Sequence, residues 1–247
     1  MRAVVIESRR RFGHYSSVSK GKIVIELDNV SYGYGGTPLF SGVSLKLVPG
    51  SFHFLTGPSG AGKTTLLRLC YADLRAHAGQ VRLFGQDAAH WSRDEVALAR
   101  RRIGVVHQDC QFLDHLSIAE NIALPLTVAN RLTEAQNNLA ELLSWVSLVP
   151  QAGQFPPELS GGERQRAALA RAVIMSPDVV IADEPTGNVD WEMSQRLLAL
   201  LVELNRMGKT ILIATHDLAM IRSMKADVNA RVLRLKGGQL MQAGAEL

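Results

Sequence analysis

From Ile23 onward the chain begins to alternate. Ile23, Ile25 and Leu27 recur at every second position, as do Val43, Leu45 and Leu47, and a period of two is that of strands with one buried face. Between the two runs, Val30-Ser31-Tyr32 leads into Gly33-Tyr34-Gly35-Gly36, a turn composition, so a small antiparallel sheet is expected here. Pro49-Gly50 ends it, and Phe52, Phe54 and Leu55 follow as a short buried strand. The period then changes: Leu66, Leu67, Cys70, Tyr71 and Leu74 recur at helical spacing. Gly79 to Gly85 predicts another short strand, and Ser92-Arg93-Asp94-Glu95 has the spacing of a capping box opening a helix to about Arg102. The box works because each partner satisfies an N–H that the first helical turn leaves free. Ile103 to Gln108 reads as a buried strand with a polar end.

From Asp109 the texture is helical. Ser117 to Glu120 and Thr133 to Gln136 have capping-box spacing, and apolar residues keep a helical period through Leu148. Residues of about 109–160 are therefore expected to form a helical subdomain inserted into an α/β core. Ser160 and Glu163 open a further helix running to Met175, Val179 to Ala182 is a fully apolar strand, 192–206 is a helix, and Thr210 to Thr215 is a strand. Strands alternating with helices imply a parallel sheet, whose ligands bind beyond the carboxyl ends of the strands. Gln108, Asp183, Glu184 and His216 all fall at such ends. There is no internal repeat of twenty to fifty residues.

Length and composition narrow the class. At 247 residues and 47% hydrophobic, the chain suits one large α/β domain or a core with a smaller lobe. It has no apolar run long enough for a membrane span, so a soluble or peripheral protein is expected, and no secretory signal is evident. Cys70 and Cys110 stand outside any C-x-x-C pattern, which suits a reducing cytoplasm. The net charge is +4, yet residues 1–22 carry six basic residues against Glu7, a net +5, leaving the remainder at −1. A basic flexible extension on a near-neutral globule is not the charge footprint of a nucleic-acid-binding face.

The chemistry centres on Gly57-Pro58-Ser59-Gly60-Ala61-Gly62-Lys63-Thr64-Thr65. It reads G-x-x-x-x-G-K-T between a strand and a helix, the context that separates a phosphate-binding loop from a chance glycine-rich turn. Glycines let backbone N–H groups surround phosphate, the helix start is positive, Lys63 neutralises the β- and γ-oxygens, and Thr64 can ligate Mg²⁺. Gly208-Lys209-Thr210 is a decoy, since Glu203 stands where the upstream glycine is needed. Asp183 is placed to hold Mg²⁺, and Glu184 to orient or deprotonate a water. Leu159-Ser160-Gly161-Gly162-Glu163 sets two glycines and a serine at a second helix start, a ready anion site that one nucleotide on the first loop does not explain.

In order and spacing, Gly57 to Thr65, Gln108, Leu159 to Glu163, Val179 to Glu184, Gly187-Asn188-Val189-Asp190 and His216 resemble the ATP-binding-cassette (ABC) ATPases over about residues 23–240. In that family these are the Walker A loop, Q-loop, signature, Walker B, D-loop and switch histidine. The resemblance implies an α/β fold with a P-loop NTPase (RecA-like) core, an N-terminal antiparallel β subdomain and the inserted helical subdomain. It implies an ATPase using ATP and Mg²⁺. Catalysis would fall to Glu184, His216, Gln108 and Lys63, metal binding to Thr64, Gln108 and Asp183, and nucleotide binding to Gly57 through Thr65. It also implies a head-to-tail homodimer in the ATP-bound state, with Ser160, Gly161 and Gly162 of one subunit covering the γ-phosphate on the other. An aromatic stacked on adenine is implied too, Tyr34 or alternatively Tyr32.

Within the family, Ala182 to Asn188, Ala214 to Asp217 and Arg102 to Asp109 with Phe112-Leu113 look most like the subgroup of cell-division and lipoprotein-release ATPases, although Val189 replaces its usual Leu. That subgroup implies a peripheral protein on the cytoplasmic face of the bacterial inner membrane. An FtsX-like integral membrane partner and a role in regulating cell-wall hydrolysis at division are further implied. Lipoprotein or drug export remains open, because all share the engine. A soluble relative acting on nucleic acid would show a long coiled-coil insertion or a second cassette, and a phosphotransferase would not need Leu159 to Glu163.

Overall fold

In the computed structural model, which describes residues 23–187, 189–224 and 227–242, the alternating start of the chain forms β1 (Ile25–Tyr34) and β2 (Thr37–Leu47). They pair antiparallel, with Ile25 opposite Leu47 and Leu27 opposite Leu45. With β4 (Ala78–Leu83) and β5 (Gln86–Asp87) they make a four-stranded sheet of order β2-β1-β4-β5. A second, six-stranded sheet has the order β10-β9-β3-β8-β7-β6. Its members are β3 (Phe52–Thr56), β6 (Ile103–Val106), β7 (Val179–Asp183), β8 (Thr210–Ala214), β9 (Ala230–Lys236) and β10 (Gln239–Gln242). Every pairing in it is parallel except the edge pairing of β10 with β9.

The central strands β3, β7 and β8 are buried at every position, as a sheet covered on both faces requires. Because successive side chains point to opposite faces, these strands divide the core in two. Phe52, Phe54, Val180, Ala182, Ile211 and Ile213 face one cluster, and Leu55, Val179, Ile181, Leu212 and Ala214 the other. Against the second face pack β1, β2 and the phosphate-loop helix α1 (Lys63–Cys70), through Leu66, Leu67 and Leu69. Against the first pack α3 (Ile118–Val128), α4 (Leu132–Trp145), α5 (Gly161–Val173) and α6 (Trp191–Arg206). The remaining helices are α2 (Arg93–Arg100), opened by the Ser92–Glu95 box, and the short α7 (Leu218–Met224).

Some boundaries depart from the sequence pattern. The Thr133 capping box does not form: α4 starts at Leu132 after Arg131, with no side-chain cap. Arg131 instead pairs with Glu134, its Nε 2.6 Å from Oε1, an i,i+3 ion pair that draws the helix start upstream of Thr133. Helix α1 stops short of Leu74 because Ala72 takes a left-handed φ of 56° and Arg68 bonds Asp73 at 2.7 Å. The Gly208 decoy is the turn between α6 and β8, with Lys209 Nζ donating to the Ser176 carbonyl at 3.1 Å. Residues 1–22 and Asn188 lie outside the described residues.

Candidate functional site

The loop 57–62 crosses the carboxyl end of the parallel sheet between β3 and α1. Gly57 passes so close to β9 that a Cβ would sit 2.3 Å from the Leu235 carbonyl oxygen, which excludes any side chain. Gly62 is the helix N-cap at φ 99°, with no side-chain cap, so the first N–H groups of α1 have no cap acceptor. Pro58, Ser59, Gly60 and Thr64 are exposed, and Ala61, Gly62 and Lys63 partly so, whereas Thr65 is buried. Lys63 arches back over this loop: Nζ donates to the Gly57 carbonyl at 3.0 Å and lies 3.8 Å from Glu184 Oε1. The cation is thus held at the loop mouth, beside the carboxylates of β7.

Those carboxylates arrive because β7 ends at Asp183, in register with Ala214 at the end of β8. Glu184 then leaves the sheet with a left-handed φ of 46°, its N–H bonded to the Ala214 carbonyl at 2.9 Å. A non-glycine residue held there stores of order 1 to 3 kcal/mol of backbone strain, a feature concentrated at functional sites. His216, just past β8, sets Nδ1 2.9 Å from Glu184 Oε1, while its imidazole remains 72% exposed. Asp183 is 7% exposed, and its Oδ1 is buried with no hydrogen-bond partner. Burial pushes its carboxyl pKa up; a Thr64 hydroxyl bond opposes this, and the Glu184 charge adds to it.

An orphaned carboxylate oxygen beside a threonine hydroxyl fits Mg²⁺, which takes one or two hard oxygen ligands from protein and the rest from phosphate and water. Among the described residues no group of three or more His, Cys, Asp or Glu could hold a metal alone. The implied metal position at Gln108 is less close-knit. That residue is exposed beyond β6 and lines a cavity of about 550 Å³ with Cys110, Phe112, Gly161, Arg164 and Gln165.

The second glycine-rich helix start is built differently. Ser160 caps α5 with a complete box: its N–H donates to Glu163 Oε2 at 2.8 Å, its hydroxyl to the same oxygen at 2.6 Å, and Glu163 N donates to Ser160 Oγ at 3.4 Å. The Ser160 hydroxyl and backbone bonds hold the Glu163 carboxyl below the usual range. No hydrogen bond or ion pair among the described residues joins Ser160, Gly161 or Gly162 to the loop 57–65 of the same chain. Between Glu184 and α6, Gly187 N bonds the Glu184 carbonyl at 3.1 Å, Val189 packs on the core, and Asp190 caps α6 through Met193 N at 2.8 Å. Tyr32 is spent on packing, stacked on His77 with centroids 4.6 Å apart. Tyr34 is 51% exposed, its hydroxyl 3.3 Å from Thr65 Oγ1.

Residues 40–187 match the model of the ABC transporter family. The chain belongs to that family. As an ABC ATPase it binds and hydrolyses ATP. It is 43% identical to the cell division ATP-binding protein FtsE of Haemophilus influenzae over 81% of this chain and 93% of that one. Against FtsE of Escherichia coli K12 the identity is 40%, over 88% and 97%. Among solved structures it resembles the dimeric ATP-binding cassette MJ0796 in a post-hydrolysis state bound to ADP and Pi. The TM-score is 0.80 and the identity 30%, over 90% of this chain and 99% of that one.

The structure also brings to this end of the fold residues that the sequence pattern alone passes over. Arg171 of α5 donates to the Gln111 carbonyl at 2.6 Å and lies over the Phe112 ring at 4.6 Å, tying the signature helix to the segment after Gln108. Asn121, fully buried in α3, accepts from Leu113 N at 2.8 Å and donates to the Leu116 carbonyl at 2.9 Å. Each is a polar residue amid an apolar helical stretch, and that misfit is the signal that could have found it.

Proposed function

We propose that this chain is the ATPase subunit of a membrane-associated ABC complex of bacterial cell division, acting as the FtsE partner of an FtsX-like membrane protein and coupling ATP turnover to the regulation of cell-wall hydrolysis. FtsE relatives covering 81% and 88% of the chain support the process. The observation that carries the chemistry is the convergence of Lys63, Glu184 and His216 within 3.8 Å steps at the mouth of the phosphate loop.

In this reading ATP lays its phosphates in Gly57 to Thr65, with adenine against the exposed ring of Tyr34. Lys63 turns from the Gly57 carbonyl and Glu184 to the β- and γ-oxygens, which frees Glu184 to orient and deprotonate the attacking water. His216 steadies Glu184 through its 2.9 Å contact. Thr64 and Asp183, with Gln108 once ATP is bound, would hold Mg²⁺, which neutralises charge on the β- and γ-oxygens. Ser160, Gly161 and Gly162 cover the γ-phosphate bound by a second copy, which gives the second helix start its purpose. The +5 of residues 1–22 favours an anionic membrane surface at up to about 1 kcal/mol per basic residue near it. A chain starting at Lys22 should then bind anionic vesicles more weakly at low salt.

Two substitutions and one purification test the assignment. Glu184→Gln should retain Mg-ATP binding and lose turnover by about 100-fold or more, whereas Asp183→Asn should weaken Mg-ATP binding itself. Equal loss of binding in both would contradict the division of roles. The tagged chain drawn from membranes should bring an FtsX-like protein; a lipoprotein-release or drug-export permease in its place would overturn the cell-division reading.

A further inference from the structure

The first turn of α6 faces two ways. Residues two apart on a helix point about 200° apart, so Met193 and Trp191 look in opposite directions. Met193 turns onto the signature helix: a Cβ on Gly162 would lie 2.9 Å from Met193 Cγ, and Arg166 Nη1 sits 2.8 Å from Met193 Sδ. Arg166 is only 8% exposed, with its Nε lacking a partner, so the Met193 side chain is a firm part of what surrounds that buried guanidinium. Asp190 fixes the turn from the other end by accepting from Met193 N at 2.8 Å. Trp191 accordingly points outward, 61% exposed. Among the described residues no ring contact or hydrogen bond holds its indole.

We propose that Trp191 is an interface residue, covered by a second copy of this chain when ATP closes the dimer. The inference rests on the two-subunit reading of Ser160 to Gly162 and deepens it. Met193 fastens this turn to Gly162, so a partner that delivers a γ-phosphate to the signature glycines also approaches the turn that carries Trp191. The dimeric state of a cassette 30% identical to this chain supports a second copy as the occupant. Large indoles left exposed in one state and buried in another are enriched among residues that dominate interfaces. A two-fold dimer would bury two of them.

The test uses the full chain carrying Glu184→Gln, with and without Trp191→Phe, so that the difference spectrum isolates Trp191 from Trp91 and Trp145. With Mg-ATP, the Trp191 emission should move to shorter wavelength and its quenching by acrylamide should fall about threefold or more, while Mg-ADP leaves both unchanged. Adding Trp191→Ala to Glu184→Gln should raise the dimer dissociation constant about tenfold, with ATP affinity of the monomer within about twofold. A dimer that forms with ATP while Trp191 emission stays unchanged, or that tolerates Trp191→Ala, overturns this inference alone. A Glu184→Gln protein that remains monomeric with Mg-ATP overturns the two-subunit reading and this inference with it. Emission that shifts on anionic vesicles without nucleotide assigns the surface to a membrane, which also overturns it.

Discussion

Two helices in this protein begin with glycine and a hydroxyl residue, and they begin in opposite ways. At α1 the N-cap is Gly62, with no side-chain cap, and Lys63 is held over the loop by the Gly57 carbonyl. At α5 the N-cap Ser160 is closed by Glu163 in a complete box. The first end leaves donors and a cation waiting for an anion, so it can bind phosphate unaided. The second has already satisfied its serine internally and carries an anion of its own, Glu163, in the first turn. In the proposed reading it gains from phosphate only when a second copy brings one to Gly161 and Gly162, so that one end is a binding site and the other is half of a site.

The largest effect separating the two should follow Lys63→Ala. The β- and γ-oxygens then lose their cation, and nucleotide affinity of the monomer should drop about 100-fold or more, near 3 kcal/mol. Calorimetry showing a loss under threefold would contradict the phosphate-loop account. Ser160→Ala should do the reverse, leaving monomer affinity within about twofold while costing about 1 kcal/mol of stability through the lost cap, read by denaturant unfolding. The smallest effect is on pH. The folded-state pKa of Glu163 lies below its ordinary 4.5, so its contribution is fully present above about 4.5 and is lost as pH falls through the depressed value. Partly exposed to solvent, the group should add only a few tenths of a kcal/mol to stability on the acid side, and Glu163→Gln should remove that increment.

The same contrast shows what the sequence made legible. The phosphate loop could be read because its spacing is a local rule, with Gly62 set by its φ of 99° and Lys63 by its place at the helix start, although the reason for Gly57, the Leu235 carbonyl, lies on a distant strand. The Ser160–Glu163 and Ser92–Glu95 boxes were legible for the same reason, since a capping box is a three-residue spacing rule. Thr133 obeyed that rule and lost to the Arg131–Glu134 pair, a competing local interaction with the same span. Strands β9 and β10 and helix α7 carried too weak a pattern, because β9 is half exposed and α7 spans only Leu218–Met224. The contact of Met193 with Gly162 and the 3.8 Å approach of Lys63 to Glu184 depend on tertiary packing, which no spacing encodes.

The claim that α5 supplies half of a site is tested most directly by light scattering of Glu184→Gln. With Mg-ATP the trapped γ-phosphate should join two copies into a stable dimer; with Mg-ADP the protein should remain monomeric. Adding Ser160→Arg should abolish the ATP-dependent dimer, since the long guanidinium side chain fills the place where the γ-phosphate must meet Gly161 and Gly162. A dimer that forms equally with ADP, or that survives Ser160→Arg, would contradict the account, because ATP would not then be what holds the two copies together.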